Sequence, residues 1–294
     1  MSFSKRARRE LRVRALLAAL PLLRVLPLQA GALIGTLAWY LSPRQRRLAR
    51  EQLAIAFPEK SPKERDRIGR ASFANLGRAA LETARNDASE VEVPPAEDAI
   101  FRAAHAQGKG VVVASAHLGS WELFARRMAA LGPPCAVVAK EAQDPRLTAL
   151  LERTRAGAGL KIFWRGSTFS AREVLRFLES GGVVGILIDQ DTRVAGHFVP
   201  FFGRPAFTPR AAGDLAAISG APMLFGCAHR RGRGHRVTLR SIDAARSGDR
   251  DADSLALTAE ATRVIEEEIR ARPAEWVWMH PRWRTQPSGI AREK

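Results

Sequence analysis

The segment from Val111 to Glu122 constrains the possible folds of this chain more than any other. Its sequence, Val-Val-Val-Ala-Ser-Ala-His-Leu-Gly-Ser-Trp-Glu, begins as an apolar run of strand length and continues with turn-forming residues. If His117 and Glu122 lay in one helix, five steps of about 100° would leave their side chains roughly 140° apart. Because such side chains could not meet, we expect a strand to end near His117 and a helix to begin after Gly119.

The same segment predicts a general-base dyad. Ser120 can cap the following helix, which puts Glu122 in the first turn, where the positive end of the helix dipole favours its charge. From there the carboxylate is expected to reach back to the imidazole of His117. A carboxylate on one ring nitrogen fixes the tautomer and leaves the other nitrogen to accept a proton from a substrate hydroxyl. The alternative is that both residues only cap and satisfy backbone groups at a strand-to-helix junction.

Helices and strands alternate over the rest of the chain. Residues 43–97 have a helical pattern, and a capping box of Ser61 and Glu64, with Pro62 at the first helical position, starts a long helix that ends near Asn86. We then predict helices at 98–107, 120–131, 144–157, 169–180, 209–219 and 253–271, strands at 111–116, 135–139, 160–164, 183–188, 222–229, 235–241 and 275–279, and a loop at 190–207. This order favours an α/β fold with a mostly parallel central sheet flanked by helices.

The first 42 residues are predicted to form a basic flank and a membrane anchor helix, followed by a single domain at residues 43–294. Six basic residues occur between positions 5 and 14, and the 17 residues from Val25 to Leu41 carry no charge. As a helix they would be about 25 Å long, slightly shorter than the roughly 30 Å hydrocarbon core of a bilayer. The segment is expected to span the membrane or to lie in one leaflet, with kinks at Pro21 and Pro27; a buried helical hairpin is the alternative.

The charge balance predicts an anionic partner. Lysine and arginine number 47 against 30 acidic residues, the formal net charge is +17, and only seven of the basic residues are lysine. Arginine binds phosphate in a bidentate manner, so membrane headgroups, phosphorylated lipids, an acidic carrier protein and nucleic acid all fit the charge. No recognised nucleic-acid motif accompanies it, which argues against nucleic acid. The two cysteines lie in apolar runs and are expected to be free, and the six histidines have no metal-ligand spacing, so no metal site is expected.

Further candidate site residues follow other predicted strands and helices. Asp189 and Asp191 come directly after the strand at 183–188, at the same sheet edge as His117, where open α/β sheets bind ligands. Three cations near element ends are positioned to meet a phosphate, although each is individually more typical of solvated surface charge: Lys140, Arg155 and Arg165.

Two aromatic segments complete the set of candidates. The run that contains Phe201, Phe202 and Gly203 is too apolar for an ordinary loop, and we interpret it as an acyl-chain wall or a membrane-facing lip, with a buried plug as an equal alternative. Near the C-terminus, tryptophans alternate with His280 and Arg282, a mixture that suits lipid headgroups or stacked bases.

In their order along the chain, these segments resemble the bacterial lipid A late acyltransferases and the related phosphatidylinositol mannoside acyltransferases. The resemblance covers nearly the whole chain and rests on four blocks: Ala116–Leu123, Asp189–Asp191 with Phe198–Gly203, Ser219–Pro222, and Trp278–Arg284. Ser120 stands where the family has asparagine, and Pro281 and Arg284 replace arginine and lysine. These departures concern the choice of acceptor or donor and leave His117 and Glu122 in place.

The resemblance implies a glycerolipid-acyltransferase-like fold and an O-acyltransferase in which His117 and Glu122 are catalytic. It also implies substrate contacts at Gly119, Ser120 and Trp121, beside the cations, aspartates and aromatic segments named above. The implied donor is a thioester of acyl carrier protein or coenzyme A, with no cofactor, and the implied acceptor is a lipid A precursor at the cytoplasmic face of the bacterial inner membrane. An acyltransferase for another membrane lipid, such as a phosphatidylinositol mannoside, a lysophospholipid or an aminolipid, is the alternative; a non-catalytic binder of anionic surfaces is a more distant one.

Overall fold

The computed structural model describes residues 5–85, 88, 90–165 and 171–287. The helices are α1 (Lys5–Val25), α2 (Leu28–Leu41), α3 (Pro43–Ala56), α4 (Pro62–Arg85), α5 (Pro95–His105), α6 (Trp121–Ala129), α7 (Pro145–Ala156), α8 (Ala171–Glu179), α9 (Ala211–Ser219) and α10 (Arg250–Ala271), with a short 3₁₀-helix at Pro273–Glu275. The strands are β1 (Val91–Glu92), β2 (Val111–Ser115), β3 (Cys135–Lys140), β4 (Leu160–Arg165), β5 (Val183–Leu187), β6 (Gly196–Phe201), β7 (Arg204–Pro209), β8 (Met223–Arg231) and β9 (Gly234–Ser241).

Within the described ranges, seven strands form one sheet in the order β1, β9, β8, β2, β5, β3, β4. Neighbouring strands pair in parallel everywhere except between β8 and β9, which are antiparallel. The predicted α/β fold with a mostly parallel central sheet is therefore confirmed. The remaining two strands, β6 and β7, pair with each other as a separate antiparallel hairpin.

The central strand β2 is buried on both faces, which explains its unbroken apolar sequence. Val112 and Ala114 belong to the hydrophobic core on one face of the sheet, whereas Val111 and Val113 belong to the core on the other face. Strand β5 pairs beside it in parallel, with Ser115 opposite Leu187. The residues that follow β2 and β5 consequently meet at one edge of the sheet.

The N-terminal region, predicted as one membrane anchor helix with kinks at Pro21 and Pro27, forms two helices. Helix α1 continues through Pro21 and ends at Val25, and α2 begins at Leu28. The break coincides with Pro27, which has no N–H to donate and disfavours a helical conformation at the residue before it. Of the helices in the described part of the chain, none combines the length and the apolar run that crossing a bilayer requires.

Helix α2 packs closely against α4 through its glycines. A Cβ atom added to Gly31 would lie 2.5 Å from the carbonyl oxygen of Gly77, and one added to Gly35 would lie 2.0 Å from that of Phe73. The two backbones approach this closely only because no side chain separates them. The opposite face of α2 is apolar and exposed; its large side chains are Leu33, Ile34, Leu37 and Leu41.

Two predicted elements differ from the structure, and one strand was not predicted. The segment 190–207, predicted as a loop, contains the hairpin of β6 and β7, whose two-residue turn at Phe202 and Gly203 has positive φ angles of 51° and 71°. The segment 275–279, predicted as a strand, forms one isolated bridge from Trp276 to Leu118. Strand β1 was not predicted, because two residues are too short to give an alternating pattern.

Candidate active site

His117 lies just beyond β2, and Asp189 holds its imidazole ring. The Nδ1 atom of His117 is 2.9 Å from Oδ1 of Asp189, and the backbone N–H of His117 donates to Oδ2 at 2.8 Å. Trp276 Nε1 donates to the same Oδ2 atom at 2.8 Å. An ionised carboxylate only accepts hydrogen bonds, so Nδ1 carries the ring proton and Nε2 retains a lone pair. This geometry prepares His117 to act as a base through Nε2.

Asp189 is almost completely buried, with 1% of its side chain exposed. Burial by itself raises the pKa of a carboxyl group, but the charge of His117 and the hydrogen bonds from His117 and Trp276 outweigh it, and the pKa of Asp189 lies below its ordinary value. Asp189 is therefore an anion at neutral pH. An anion in this position stabilises the imidazolium that forms when His117 accepts a proton.

Glu122 does not contact the imidazole, contrary to the expectation from its spacing, but pairs with Arg155 of α7. Arg155 Nη2 donates to Oε1 of Glu122 at 2.5 Å, and Arg155 Nε donates to Oε2 at 3.2 Å. From the first turn of α6 the Glu122 side chain reaches α7, whereas Asp189 reaches His117 from the strand next to β2. The expected dyad is thus replaced by two separate pairs, His117 with Asp189 and Arg155 with Glu122.

Gly119 and Ser120 shape the turn between β2 and α6. Gly119 has a φ of +62°, and a Cβ atom there would lie 2.1 Å from the carbonyl oxygen of Ala228, so the position requires glycine. The N–H of Ser120 donates to the same carbonyl at 2.9 Å. Ser120 precedes α6 as predicted, but its side chain forms no capping hydrogen bond, and its buried Oγ has no partner in the part of the chain that the structure describes. The predicted side-chain cap is wrong, and the backbone fixes the turn.

A cavity of about 530 Å³ opens beside His117 and continues between α6 and the sheet. Its polar end includes His117, Glu122, Arg155 and Trp121, whose ring meets that of His117 edge-on at 5.1 Å. Its interior is lined by apolar side chains and one glycine, among them Val113, Phe124, Met128, Cys135, Val137, Leu160, Val183 and Gly185. Along β5 it extends about 13 Å, the length of four strand residues. A polar opening and an apolar interior fit a ligand with a hydrocarbon chain.

Two more of the predicted cations lie at this cavity. Lys140 and Arg165 are the last residues of β3 and β4, pair directly across those strands and line the cavity. Together with Arg155 they surround its polar end with positive charge. Arg210 also lines the cavity, but its guanidinium is bound to the carboxylate of Asp214 at 2.9 Å.

Phe201, Phe202 and Gly203 lie outside the cavity. Residues Phe201 and Phe202 are 1% and 6% exposed, and their rings pack in an aromatic cluster with Phe57, Trp276, Trp278 and Trp283. Phe202 keeps its positive φ because Glu266 accepts a hydrogen bond from its N–H and Arg270 lies 4.4 Å above its ring. Of the two interpretations of this segment, the buried plug describes its position.

Asp191, His280 and Arg282 hold the C-terminal segment against the loop after β5 and against β7. Asp191 accepts hydrogen bonds from the N–H and hydroxyl of Thr285 at 2.6 and 2.9 Å and from Arg284 at 3.1 Å. His280 Nε2 lies 3.2 Å from the Asp191 carbonyl oxygen, and burial lowers the pKa of His280. Arg282 is fully buried, donates to a backbone carbonyl of β7 at 2.6 Å, and has its pKa lowered by burial to about 10. None of the three lines the cavity beside His117.

Sequence reasoning missed the partner of His117. Asp189 is 72 positions away, so no local spacing connects the two residues. The only signal was topological, because both residues follow strands whose carboxyl ends were expected at the same edge of the sheet. Trp276, which completes the hydrogen bonding of Asp189, gave no signal beyond its place in a tryptophan-rich segment.

Comparisons with known proteins agree with a lipid-modifying enzyme. The profile of the family described as bacterial lipid A biosynthesis acyltransferase matches residues 2–285. The chain is 28% identical over 274 residues to the lipid A biosynthesis palmitoleoyltransferase of Escherichia coli K12, an alignment that covers 88% of this chain and 85% of that protein. It is 26% identical over 271 residues to the lipid A biosynthesis lauroyltransferase of the same organism, covering 88% and 86%. It is also 29% identical over 183 residues to a phosphatidylinositol mannoside acyltransferase of Mycobacterium tuberculosis, covering 62% and 57%.

Proposed function

The chain belongs to the bacterial lipid A biosynthesis acyltransferase family and is an acyltransferase, and from this premise we propose that it moves a fatty acyl group from a thioester to a hydroxyl of a lipid A precursor at a membrane surface. One observation carries the proposal. His117 has its Nδ1 on a buried carboxylate and lies at the opening of an apolar cavity, so a base and a site for a hydrocarbon chain adjoin.

In the proposed reaction, Nε2 of His117 accepts the proton of the lipid hydroxyl. The oxygen attacks the thioester carbonyl, an ester bond forms as the carbon–sulfur bond breaks, and the leaving thiolate takes the proton back from His117. No acyl-enzyme intermediate is required, because the acceptor itself is the nucleophile. Asp189 keeps the ring in the required tautomer and stabilises its charged form.

The pair of Arg155 and Glu122 has a different task in this proposal. Arg155 lines the cavity next to His117, and its Nη1 atom has no hydrogen-bond partner in the described part of the chain. A guanidinium here stabilises the negative charge that develops on the thioester carbonyl oxygen. Glu122 holds this guanidinium with two hydrogen bonds, so we assign Glu122 a catalytic contribution that acts through Arg155.

The donor in this proposal is an acyl thioester of acyl carrier protein, with coenzyme A as the other donor, and no cofactor takes part. The acyl chain occupies the apolar cavity under α6, and the thioester lies at its polar end. Lys140 and Arg165 then face the phosphate of the donor's pantetheine arm. The net charge of +17 favours encounter with an acidic carrier protein and with anionic lipids.

The proposed location is the cytoplasmic face of the bacterial inner membrane. The exposed face of α2, formed by Leu33, Ile34, Leu37 and Leu41, is apolar, and the exposed side chains of Arg44 and Arg47 follow at the start of α3. Apolar side chains beside arginines suit the boundary between acyl chains and headgroups of one leaflet. The other face of α2 packs against α4, so binding of the exposed face to lipid would hold the catalytic domain at the membrane surface.

The experiment that tests the function is acyl transfer by the detergent-solubilised chain. Labelled acyl thioesters of acyl carrier protein and of coenzyme A are offered with tetra-acylated lipid A precursor, lysophospholipid or phosphatidylinositol mannoside. We expect the label in lipid A precursor, and a loss of at least about 10³-fold with His117→Ala because the base is removed. The phosphatidylinositol mannoside is included because a relative of that name shares 29% identity with this chain.

A matched variant makes the result specific. His197 is also half-buried but lies on β6, and its ring contacts Ser254 at 3.2 Å. His197→Ala is expected to leave turnover near that of the unmodified protein, with both variants showing the same thermal unfolding midpoint. Undiminished turnover by His117→Ala would exclude the mechanism, and label in a different lipid would replace the proposed acceptor.

A further inference from the structure

A second cavity of about 550 Å³ lies between the loop after β5 and the C-terminal segment, and we call it the lateral groove. Arg193, Phe207, Arg284 and Thr285 line it, together with Asp191, Thr192 and Val194. Thr192 and Val194 also line the cavity beside His117. One short stretch of backbone therefore separates the lateral groove from the proposed catalytic centre.

The lateral groove contains two exposed guanidinium groups with hydrogen-bond donors that no described residue accepts. Its one carboxylate, Asp191, is 1% exposed and is already bound to the N–H and hydroxyl of Thr285 and to Arg284. Arg193 is exposed and forms no hydrogen bond or ion pair within residues 5–85, 88, 90–165 and 171–287. Arg284 is half exposed and uses only Nη2 in its bonds to Asp191. Two guanidiniums with free donors match the oxygens of a phosphate group.

The lateral groove also has an apolar border. Phe207 forms one wall, and its ring meets that of Phe198 edge-on at 5.4 Å. Phe198 is 38% exposed, and Val194 adds a further apolar side chain at the boundary with the first cavity. An anion site beside exposed aromatic and aliphatic side chains fits a phosphorylated lipid better than free phosphate, which would gain nothing from the apolar border.

The cations of the lateral groove and those proposed for the donor belong to different elements and line different cavities. Lys140 and Arg165 end β3 and β4, which are the last two strands at one side of the sheet. Arg193 and Arg284 lie instead where the loop after β5 meets β7 and the C-terminal segment. Since the two pairs share no residue, two anionic groups have separate sites, as a reaction between two phosphate-bearing substrates requires.

We propose that the lateral groove binds a phosphate group of the acceptor lipid through Arg193 and Arg284. This rests on the proposed function and narrows its acceptor to a phosphorylated lipid whose phosphate binds at residues other than those proposed for the donor's phosphate. Thr192 lines both cavities, and its Oγ1 is buried without a hydrogen-bond partner among the described residues.

The first test measures binding without turnover, in the His117→Ala protein. The probes are tetra-acylated lipid A precursor in detergent micelles and the same lipid after its phosphates are removed with phosphatase. Adding Arg193→Gln is expected to weaken binding of the phosphorylated lipid about tenfold and to leave binding of the dephosphorylated lipid unchanged. Arg176→Gln is the matched control, because Arg176 is an exposed arginine in the last turn of α8, at the opposite edge of the sheet.

The second test measures turnover with His117 intact. Arg193→Gln is expected to raise the KM for the phosphorylated acceptor about tenfold, with kcat and the KM for the donor unchanged. A rise in the donor's KM instead would assign the groove to the donor's phosphate and overturn the proposal. Equal weakening for both forms of the lipid, or no change for either, would also overturn it. Because the binding test needs no acyl transfer, a failure of the proposed reaction is distinguishable from a failure of this groove.

Discussion

Two carboxylates lie close to His117, and the contacts of each define its role. Asp189 touches Nδ1 of the ring and is buried, whereas Glu122 is bound by Arg155. The local sequence favoured Glu122 because it lies only five positions from His117 along the chain. The contact between Asp189 and His117 depends on β2 and β5 being neighbours, and the pairing of those strands depends on interactions across the whole sheet. Residue-scale prediction therefore singled out His117 but not the carboxylate that holds its ring.

Replacing Asp189 by asparagine tests this assignment. The amide can donate to Nδ1, which favours the tautomer with the proton on Nε2 and removes the acceptor lone pair. We expect kcat for acyl transfer to fall by about 10²–10⁴, with a smaller change in the KM for either substrate. Initial rates at saturating donor check this.

The control for this variant is Asp243→Asn, which changes an exposed carboxylate between β9 and α10. It is expected to leave kcat unchanged. If Asp189→Asn turned over at the rate of the unmodified protein, the hydrogen bond to Nδ1 would have no part in catalysis.

Among the secondary-structure elements, α2 has two faces with different environments. Gly31 and Gly35 contact α4, and the side chains of Leu33, Ile34 and Leu37 face outward. Since the outward face contributes little to the packed core, it can be altered without disturbing the fold. This makes the proposed membrane contact separable from the catalytic centre.

A double substitution on α2 tests the membrane contact. Ile34→Asp with Leu37→Asp is expected to reduce co-sedimentation with anionic lipid vesicles by more than about tenfold, because each buried aliphatic side chain contributes roughly 1.5–3 kcal/mol of transfer free energy. Leu255→Asp on α10 is the control, since Leu255 is an exposed leucine far along the chain from α2. Equal loss of vesicle binding in both proteins, or none in either, would contradict a lipid contact at α2.

Elements with a strong periodic pattern were the ones that the sequence predicted well. Strands β2, β3 and β5 and helices α4 and α7 were placed to within one or two residues, and the predicted capping box forms, with Ser61 N–H donating to Glu64 at 2.8 Å. The hairpin of β6 and β7 was missed because both strands contain proline, at positions 200, 205 and 209, and proline in a run argues against a strand. The tryptophan-rich segment was mistaken for a strand, since β-forming residues there pack as a cluster without a ladder.

Over the whole molecule, buried histidines make the stability depend on pH. Burial lowers the pKa of His229 and of His235 to about 4, although Glu82 lies 3.5 Å from His235. In the unfolded chain both side chains titrate near 6.5, so below that pH the unfolded state binds more protons than the folded state. The contribution of these two histidines to the free energy of unfolding is therefore retained above pH 6.5 and is lost as the pH falls toward 4.

Chemical denaturation at a series of pH values measures this loss. The free energy of unfolding is expected to fall between pH 6.5 and pH 4, and His235→Gln is expected to make that fall shallower by about 1–3 kcal/mol, since each pKa unit corresponds to about 1.4 kcal/mol. Burial raises the pKa of Glu82, which makes the free energy of unfolding change with pH in the opposite direction over the same range. Both proteins contain Glu82, so the comparison between them isolates the effect of His235. An identical pH dependence for both proteins would show that His235 is not held neutral by the fold.

The apolar cavity has a thermodynamic consequence that reaches beyond the reaction. Its lining residues Val113, Met128, Cys135, Leu160 and Val183 all belong to the hydrophobic core on one face of the sheet. An acyl chain that enters there packs as a core side chain would, against residues that exist as a surface only in the folded protein. A ligand of this kind raises the apparent stability as its concentration rises. Activated fatty acid would then protect the folded enzyme against unfolding as well as supply its reaction.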